Sequence, residues 1–186
     1  MAIRRALIIL AEGAEEMEVV ITADVLRRAG VQVTLGGLSG AGTVRCSRQV
    51  QLVPDADFSS AVKEEHDVLI LPGGLGGSQA LAESSAVGDA LRSQHAAGRL
   101  VAAICAAPIA IASHKIQPGA TLTSFPGVKE KLVNAGYNYS EERVVVDGKL
   151  VTSRGPGTAF EFALKLVELL VDADSAKTLH EGMLLK

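Results

Sequence analysis

The sequence predicts an α/β sandwich with a mostly parallel central sheet, and three observations carry that expectation. Short apolar runs alternate with helical patterns along the chain, the rhythm of β–α–β units. The runs at 6–10, 68–71 and 100–104 are aliphatic and free of charge, as strands covered on both faces must be. With 186 residues and 48% hydrophobic content the chain can bury a sizeable core, and aromatics at 3% make that core aliphatic. No repeat, linker or break in composition divides it, so one domain over 1–186 is expected.

In order, strand one is read at 6–10. Met17, Val20, Ile21, Val25 and Arg28 mark one face of a helix that ends near Ala29 and Gly30, and strand two follows at 31–35. A strand-rich excursion at 44–46 and 50–53 has polar turns. The run 68–71 ends at Pro72, Gly73 and Gly74, and 81–97 reads as helix. The strand 100–104 delivers Cys105, and Pro108 suits the first turn of the helix behind it. Then come a strand at 121–124, a short helix near 128–133, and a hairpin of 144–146 and 150–152 turned by Asp147 and Gly148. Gly155, Pro156 and Gly157 break the chain before the last long helix. There Thr158 and Glu161 make a capping-box pattern, and Phe160, Ala163, Leu164, Val167 and Val171 form the expected buried stripe.

Charge and cysteine content narrow the function classes. A net charge of −3 gives no electrostatic footprint for nucleic acid or an anionic membrane. The longest apolar stretch, 100–112, is too short to span a bilayer and contains a proline. The N-terminal apolar run ends after Ala11 and meets Glu12, Glu15, Glu16 and Glu18, so it reads as a strand rather than a signal peptide. Two cysteines make no secreted disulfide framework. A reducing compartment is expected: the cytoplasm, with nucleus and mitochondria as further locations.

The chemistry-bearing residues collect at one edge. In an open parallel sheet the loops after the strands meet beyond the carboxyl ends, which brings together 12–18, Gly73 with Gly74, and Cys105. A cysteine at a strand-to-helix turn feels unpaired amides and the positive end of the helix, both favouring thiolate; the competing reading is a small buried core cysteine. Gly74 and Ala106 are expected to hold an oxyanion with their amides. Paired glycines also serve as plain turns. Glu16 is read as a solvated carboxylate at a helix start. Glu18, at the boundary of the buried stripe, is expected to share one proton with Cys105, giving a nucleophile beside a general acid/base. Cys46, beside Arg48, reads as a partly exposed structural thiol that oxidation can also reach. His66, His95, His114 and His180 read as surface or helix-end residues. Asp24, placed in the apolar stripe, calls for a partner, with Ser153 as the candidate.

Four motifs in order, Gly13-Ala-Glu-Glu-Met-Glu18, Leu71-Pro-Gly-Gly74, Ala102-Ala-Ile-Cys-Ala106 and Thr152-Ser-Arg-Gly-Pro-Gly-Thr158, resemble the Parkinson-disease deglycase-like proteins of the ThiJ/PfpI superfamily over nearly the whole chain. The resemblance implies a flavodoxin-like three-layer sandwich and a homodimer packed partly through the first helix. It implies a nucleophilic, oxidation-sensitive Cys105 bonded to Glu18, with Glu15, Gly73, Phe125 and a dimer-crossing Arg48 around the substrate. It further implies cofactor- and metal-independent glyoxalase or deglycase action on methylglyoxal, glyoxal and their early adducts, with oxidative-stress sensing and chaperone action. One departure stands out: Phe125 occupies the place where many relatives carry a histidine. A Cys–His dyad therefore lacks its base here. By the same likeness, the tail 175–186, with Ala176, Leu179 and Met183 at helical spacing, should shield the pocket.

Three function classes follow. The first is an enzyme in which Cys105 attacks an aldehyde carbon, the Gly74 and Ala106 amides hold the oxyanion, and Glu18 moves protons through an enediol to a hydroxyacid. The second is a redox sensor or chaperone working through Cys105 oxidation. The third, a flavodoxin-like nucleotide binder, is the weakest, because the glutamates of the first loop repel phosphate.

Overall fold

A computed structural model describes residues 3–186. The chain runs β1 (Arg5–Leu10), α1 (Glu16–Arg28), β2 (Gln32–Gly37), β3 (Val44–Arg45), β4 (Gln51–Leu52), β5 (Ala56–Asp57), α2 (Phe58–Ala61), β6 (Val68–Leu71), α3 (Leu75–Glu83) and α4 (Ser85–Ala96). It continues through β7 (Leu100–Ile104), α5 (Pro108–Ser113), β8 (Thr121–Leu122), α6 (Lys129–Asn134), β9 (Asn138–Tyr139), β10 (Val144–Asp147), β11 (Leu150–Ser153), α7 (Ala159–Leu170) and α8 (Ala173–Gly182). Seven strands form one sheet in the order β10-β11-β7-β6-β1-β2-β5. Only the β10–β11 pair is antiparallel within it. This is the flavodoxin-like α/β sandwich the sequence predicts.

Strand periodicity explains the three layers. Ala6, Ile8 and Leu10 of β1 face the side covered by α1 and α7, where Val19, Leu26, Phe162 and Leu166 are buried. Leu7 and Ile9 face the other side, against Leu81, Val87, Leu91 and Ile111 of α3, α4 and α5. Both faces are dry, so β1 from Ala6 onward, β6 and β7 need apolar residues at every position. From β1 the chain adds β2 on one side and later β6 on the other. The crevice at that switch lies beside the carboxyl end of β7, where Cys105 follows.

Several local expectations change. The inward face of α1 is Val19, Thr22, Ala23, Val25 and Leu26, while Met17 and Val20 are about half exposed. Asp24 therefore lies outside the stripe and pairs with Arg28 one turn on at 2.6 Å, not with Ser153. The helix expected at 81–97 begins earlier, at Leu75, and is broken where Ser84 caps α4 by accepting the Val87 N–H at 3.3 Å. Strands β5 and β9 and helix α2 carry too few residues to leave a periodicity.

In α7 the buried stripe is Ala159, Phe162, Ala163, Leu166, Val167 and Leu170, leaving Phe160 and Val171 outside it. The capping box is absent: Thr158 Oγ1 accepts from the Arg154 and Gly155 N–H groups, and Glu161 pairs with Arg143. His66 is buried rather than superficial. Among the described residues no helix is long and apolar enough to cross a membrane.

Candidate active site

Loop contacts between glycines set the floor of the site. Gly13, at φ +77°, lies against Gly76, and the Glu15 N–H donates to the Gly73 carbonyl at 2.9 Å. A methyl group on Gly74, itself at φ +83°, would stand 2.2 Å from the Gly13 carbonyl oxygen. One on Gly73 would stand 2.5 Å from Cys105 Cβ and 2.6 Å from Glu18 Oε2. Only glycine lets the three loops close this far. The β3–β4 hairpin joins them through the Gly13 N–H to the Arg45 carbonyl, 2.9 Å, and the Ser47 N–H to the Ala14 carbonyl, 2.8 Å.

Cys105 adopts φ +64°, a left-handed conformation unfavourable for a side chain. Two backbone bonds hold it there: its N–H donates to the Ser153 carbonyl at 3.0 Å, and its carbonyl accepts the Phe125 N–H at 2.8 Å. The conformation turns the thiol out of the sheet toward the crevice. One expectation fails in part, since α5 starts three residues downstream and has six residues, so its dipole contributes little. Support for a charged sulfur comes instead from the amides of Gly74 and Ala106, which both favour the thiolate.

Glu18 is fully buried, and its Oε2 accepts the Gly73 N–H at 2.7 Å. Its Oε1 has no hydrogen-bond donor. Desolvation pushes the carboxyl up to about 7, against the Gly73 amide and the Cys105 contact, with the charge of Glu15 adding to the rise. Burial and the facing carboxylate push the Cys105 thiol up to about 12. Part of that rise comes from the charge of Glu18 and its hydrogen bond to the sulfur, behind desolvation as the larger cause. One proton therefore serves the pair. The sulfur is partly exposed and faces two amides, whereas the carboxyl is sealed from water.

Above the thiol opens a cavity of about 490 Å³, lined by Glu15, Ser47, Arg48, Leu75, Cys105 and Phe125 among others. Gly74 and Ala106 line it as well; Glu18 and Gly73 do not, so the expected substrate contact from Gly73 is replaced by its bond to Glu18. Arg48 lines the cavity of its own chain. Among the described residues no histidine lines it, and Phe125 occupies the wall. The C-terminal helix α8 contributes nothing to the lining: Ala176, Leu179 and Met183 pack against the α1–α7 side of the core.

Glu16 is not a solvated carboxylate. It is buried and accepts the Arg48 N–H at 2.9 Å and the Ser47 hydroxyl at 2.9 Å. Desolvation raises its pKa, but these bonds and its own amide outweigh that and hold it below the ordinary value. Cys46 is 2% exposed rather than partly exposed. Desolvation, then the charges of Glu16, Glu12 and Glu15, push its thiol up to about 11. Ser47 and Leu75 escaped the sequence reading, because neither lies in a motif and both reach the cavity by tertiary packing. Among the described residues no three of His, Cys, Asp and Glu converge as a metal ion would require.

Residues 4–169 match the DJ-1/PfpI family. The chain is 51% identical over 188 residues to the Parkinson disease protein 7 homolog of Danio rerio, covering 100% of both chains. It is 40% identical over 183 residues to the glutathione-independent glyoxalase DJR-1.2 of Caenorhabditis elegans, covering 98% of this chain and 97% of that one. The crystal structure of Drosophila melanogaster DJ-1beta superposes with a TM-score of 0.97 at 53% identity, over 100% of each chain. Sequence, fold and the order of the loops around Cys105 agree: the chain belongs to the DJ-1/PfpI family.

Proposed function

We propose that the chain is a glutathione-independent glyoxalase and deglycase of small α-oxoaldehydes and their early adducts, with Cys105 as nucleophile. The observation that carries this reading is the buried Glu18 carboxyl, one oxygen unpartnered, facing a partly exposed thiol at the floor of a cavity. A relative named as a glutathione-independent glyoxalase at 40% identity supports it.

With methylglyoxal the sulfur of the Cys105 thiolate bonds to the aldehyde carbon, and the carbonyl pair moves to oxygen, which the Gly74 and Ala106 amides hold. The proton held by the Cys105–Glu18 pair passes to that oxygen. Moving hydrogen from the first carbon to the second through an enediol then yields a thioester of lactate. Water cleaves it, returning the thiol and lactate with no cofactor and no net redox change. The working form is a cytoplasmic homodimer, and the exposed Met17 and Val20 of α1 suit a covered face.

The test is to incubate the pure chain with methylglyoxal, without glutathione or metal, and follow chiral lactate. Lactate from the wild type and none from Cys105→Ser is the expected outcome; equal rates reject the reading. A second role rests on the same geometry. Cys105 reaches solvent while Cys46 does not, so a sulfenic or sulfinic Cys105 is the state a redox sensor would use.

A further inference from the structure

Ser47 Oγ lies 2.7 Å from Oε2 of Glu15 and 2.9 Å from Oε2 of Glu16. A serine hydroxyl carries one hydrogen, so it donates to one carboxyl at a time and turns lone pairs to the other. Glu16 is fixed as an acceptor, because the Arg48 N–H also points at its two oxygens, at 2.9 and 3.1 Å. Glu15 differs in being the carboxyl that lines the cavity beside Cys105, while Glu18 lies beneath the sulfur and does not reach it. The hydrogen on the first carbon of a bound α-oxoaldehyde therefore needs an acceptor on the cavity side. Among the described residues no histidine is there to take it.

We propose that Glu15 is the proton carrier for the carbon-bound hydrogen, and that Ser47 is the rotor that keeps it hydrogen-bonded in both protonation states, more strongly as the carboxylate. With Glu15 ionised, the Ser47 hydrogen points to Glu15. Once Glu15 takes a proton, it donates to Ser47 Oγ, and the Ser47 hydrogen turns to Glu16. No heavy atom moves. The inference rests on the glyoxalase reading and assigns its central step.

In that step the C1–H bond of the Cys105 hemithioacetal breaks, and the proton goes to Glu15. The electron pair forms C1=C2, and the C2 carbonyl pair moves to its oxygen. Glu15 then returns the proton to C2, and the proton on the C1 oxygen passes to the C2 oxygen, leaving the lactate thioester. The Cys105–Glu18 pair supplies the oxygen-bound proton and Glu15 carries the carbon-bound one. The groups facing Glu15 fit that division. The charge of Glu15 acts on Glu18 and on Cys46, its N–H is tied to Gly73, and Arg48 and Cys105 share the cavity with it.

The experiment compares wild type, Glu15→Gln, Ser47→Ala and Ser47→Thr on methylglyoxal. It reads lactate formation against pH and the reversible Cys105 adduct by intact-protein mass. Glu15→Gln should still form the adduct but lose kcat by on the order of 100-fold, the scale of a missing general base. Ser47→Ala deprives the Glu15 carboxylate of its donor, so the acid limb of its pH–rate profile should move to higher pH, and Ser47→Thr should restore it. A purely structural serine would lower the rate without moving the limb.

Glu15→Gln with kcat within threefold of wild type, or without the adduct, overturns the assignment, as does a Ser47→Ala profile that superimposes on the wild type. If the wild type makes lactate while Glu15→Gln matches it, only the relay falls. If the wild type makes none, the glyoxalase reading falls and the relay with it.

Discussion

The two thiols of this chain sit in loops that touch the same acidic segment, yet their surroundings lead in opposite directions. Around Cys46 the nearby charges belong to Glu16, Glu12 and Glu15, and the side chain is sealed in the core at 2% exposure. Around Cys105 the carboxyl is Glu18, itself pushed up to about 7 and able to accept the proton that the sulfur gives up. Two amides face Cys105, and a cavity opens over it. Burial and acidic neighbours push both thiols up; only Cys105 has opposing amides, an open cavity and a carboxyl that itself titrates near neutrality.

The largest effect that tests this contrast is on turnover. Cys105→Ser should lose methylglyoxal conversion by more than about 1000-fold, because a serine hydroxyl ionises far less readily than a thiol. Cys46→Ser, in contrast, should stay within a few fold. Lactate assays on the two variants side by side decide it, and comparable losses would erase the distinction between the sites.

The next effect comes from the glycine that holds the pair together. Gly73→Ala would place a methyl group 2.5 Å from Cys105 Cβ and 2.6 Å from Glu18 Oε2, forcing thiol and carboxyl apart. Overpacking of this kind costs about 1–3 kcal/mol of stability. A displacement near 1 Å costs about 100-fold in rate. Urea midpoints together with kcat check both, and a variant as active as wild type would show that the close packing is dispensable.

How much of this was legible before the structure depends on the range of each interaction. The strands β1, β6 and β7 were read correctly, because a strand dry on both faces must be apolar at every position. The place of Cys105 at a turn beside Gly74 and Glu18 followed from the same rule, since parallel strands send their loops to one edge. The inward face of α1 was misread: Met17 and Val20 are apolar yet point out, and periodicity cannot tell a core-facing stripe from one left for other contacts. Burial of Glu16 was invisible for another reason. Its partners, Ser47 and Arg48, lie thirty-one and thirty-two residues along in a hairpin whose docking no local signal records. The failed capping box at Thr158 belongs to the same class, its hydroxyl being taken by Arg154 and Gly155.

Oxidation offers a further comparison of about 100-fold. Peroxide must reach the sulfur it oxidises, and Cys46 is sealed in the core with only acidic groups near it, whereas Cys105 reaches solvent in the cavity and faces two amides that favour its anion. Cys105 should reach sulfinic acid under mild dose before Cys46 is touched. Peptide mass spectrometry across a peroxide series checks this, and a dominant Cys46–Cys105 disulfide would overturn the picture of two separate environments.

The smallest effect lies in stability at alkaline pH, and it isolates Cys46. Its thiol ionises about 11 in the fold against an ordinary value of 9.0, so between those limits the folded chain holds a proton that the unfolded chain has released. Stability therefore falls as pH rises through that window, by at most about 3 kcal/mol from this residue, and the contribution is intact below it. Cys105 and Tyr137 ionise late as well, so the wild-type slope is shared. The difference between wild type and Cys46→Ala is not shared: the variant starts less stable, having lost a buried sulfur, and should lose stability less steeply toward pH 11. Urea midpoints measured at intervals from below pH 9 upward give both slopes. Parallel slopes would mean that Cys46 ionises in the folded chain as freely as in the unfolded one, and the hairpin that carries it would then be open to water rather than sealed against α1.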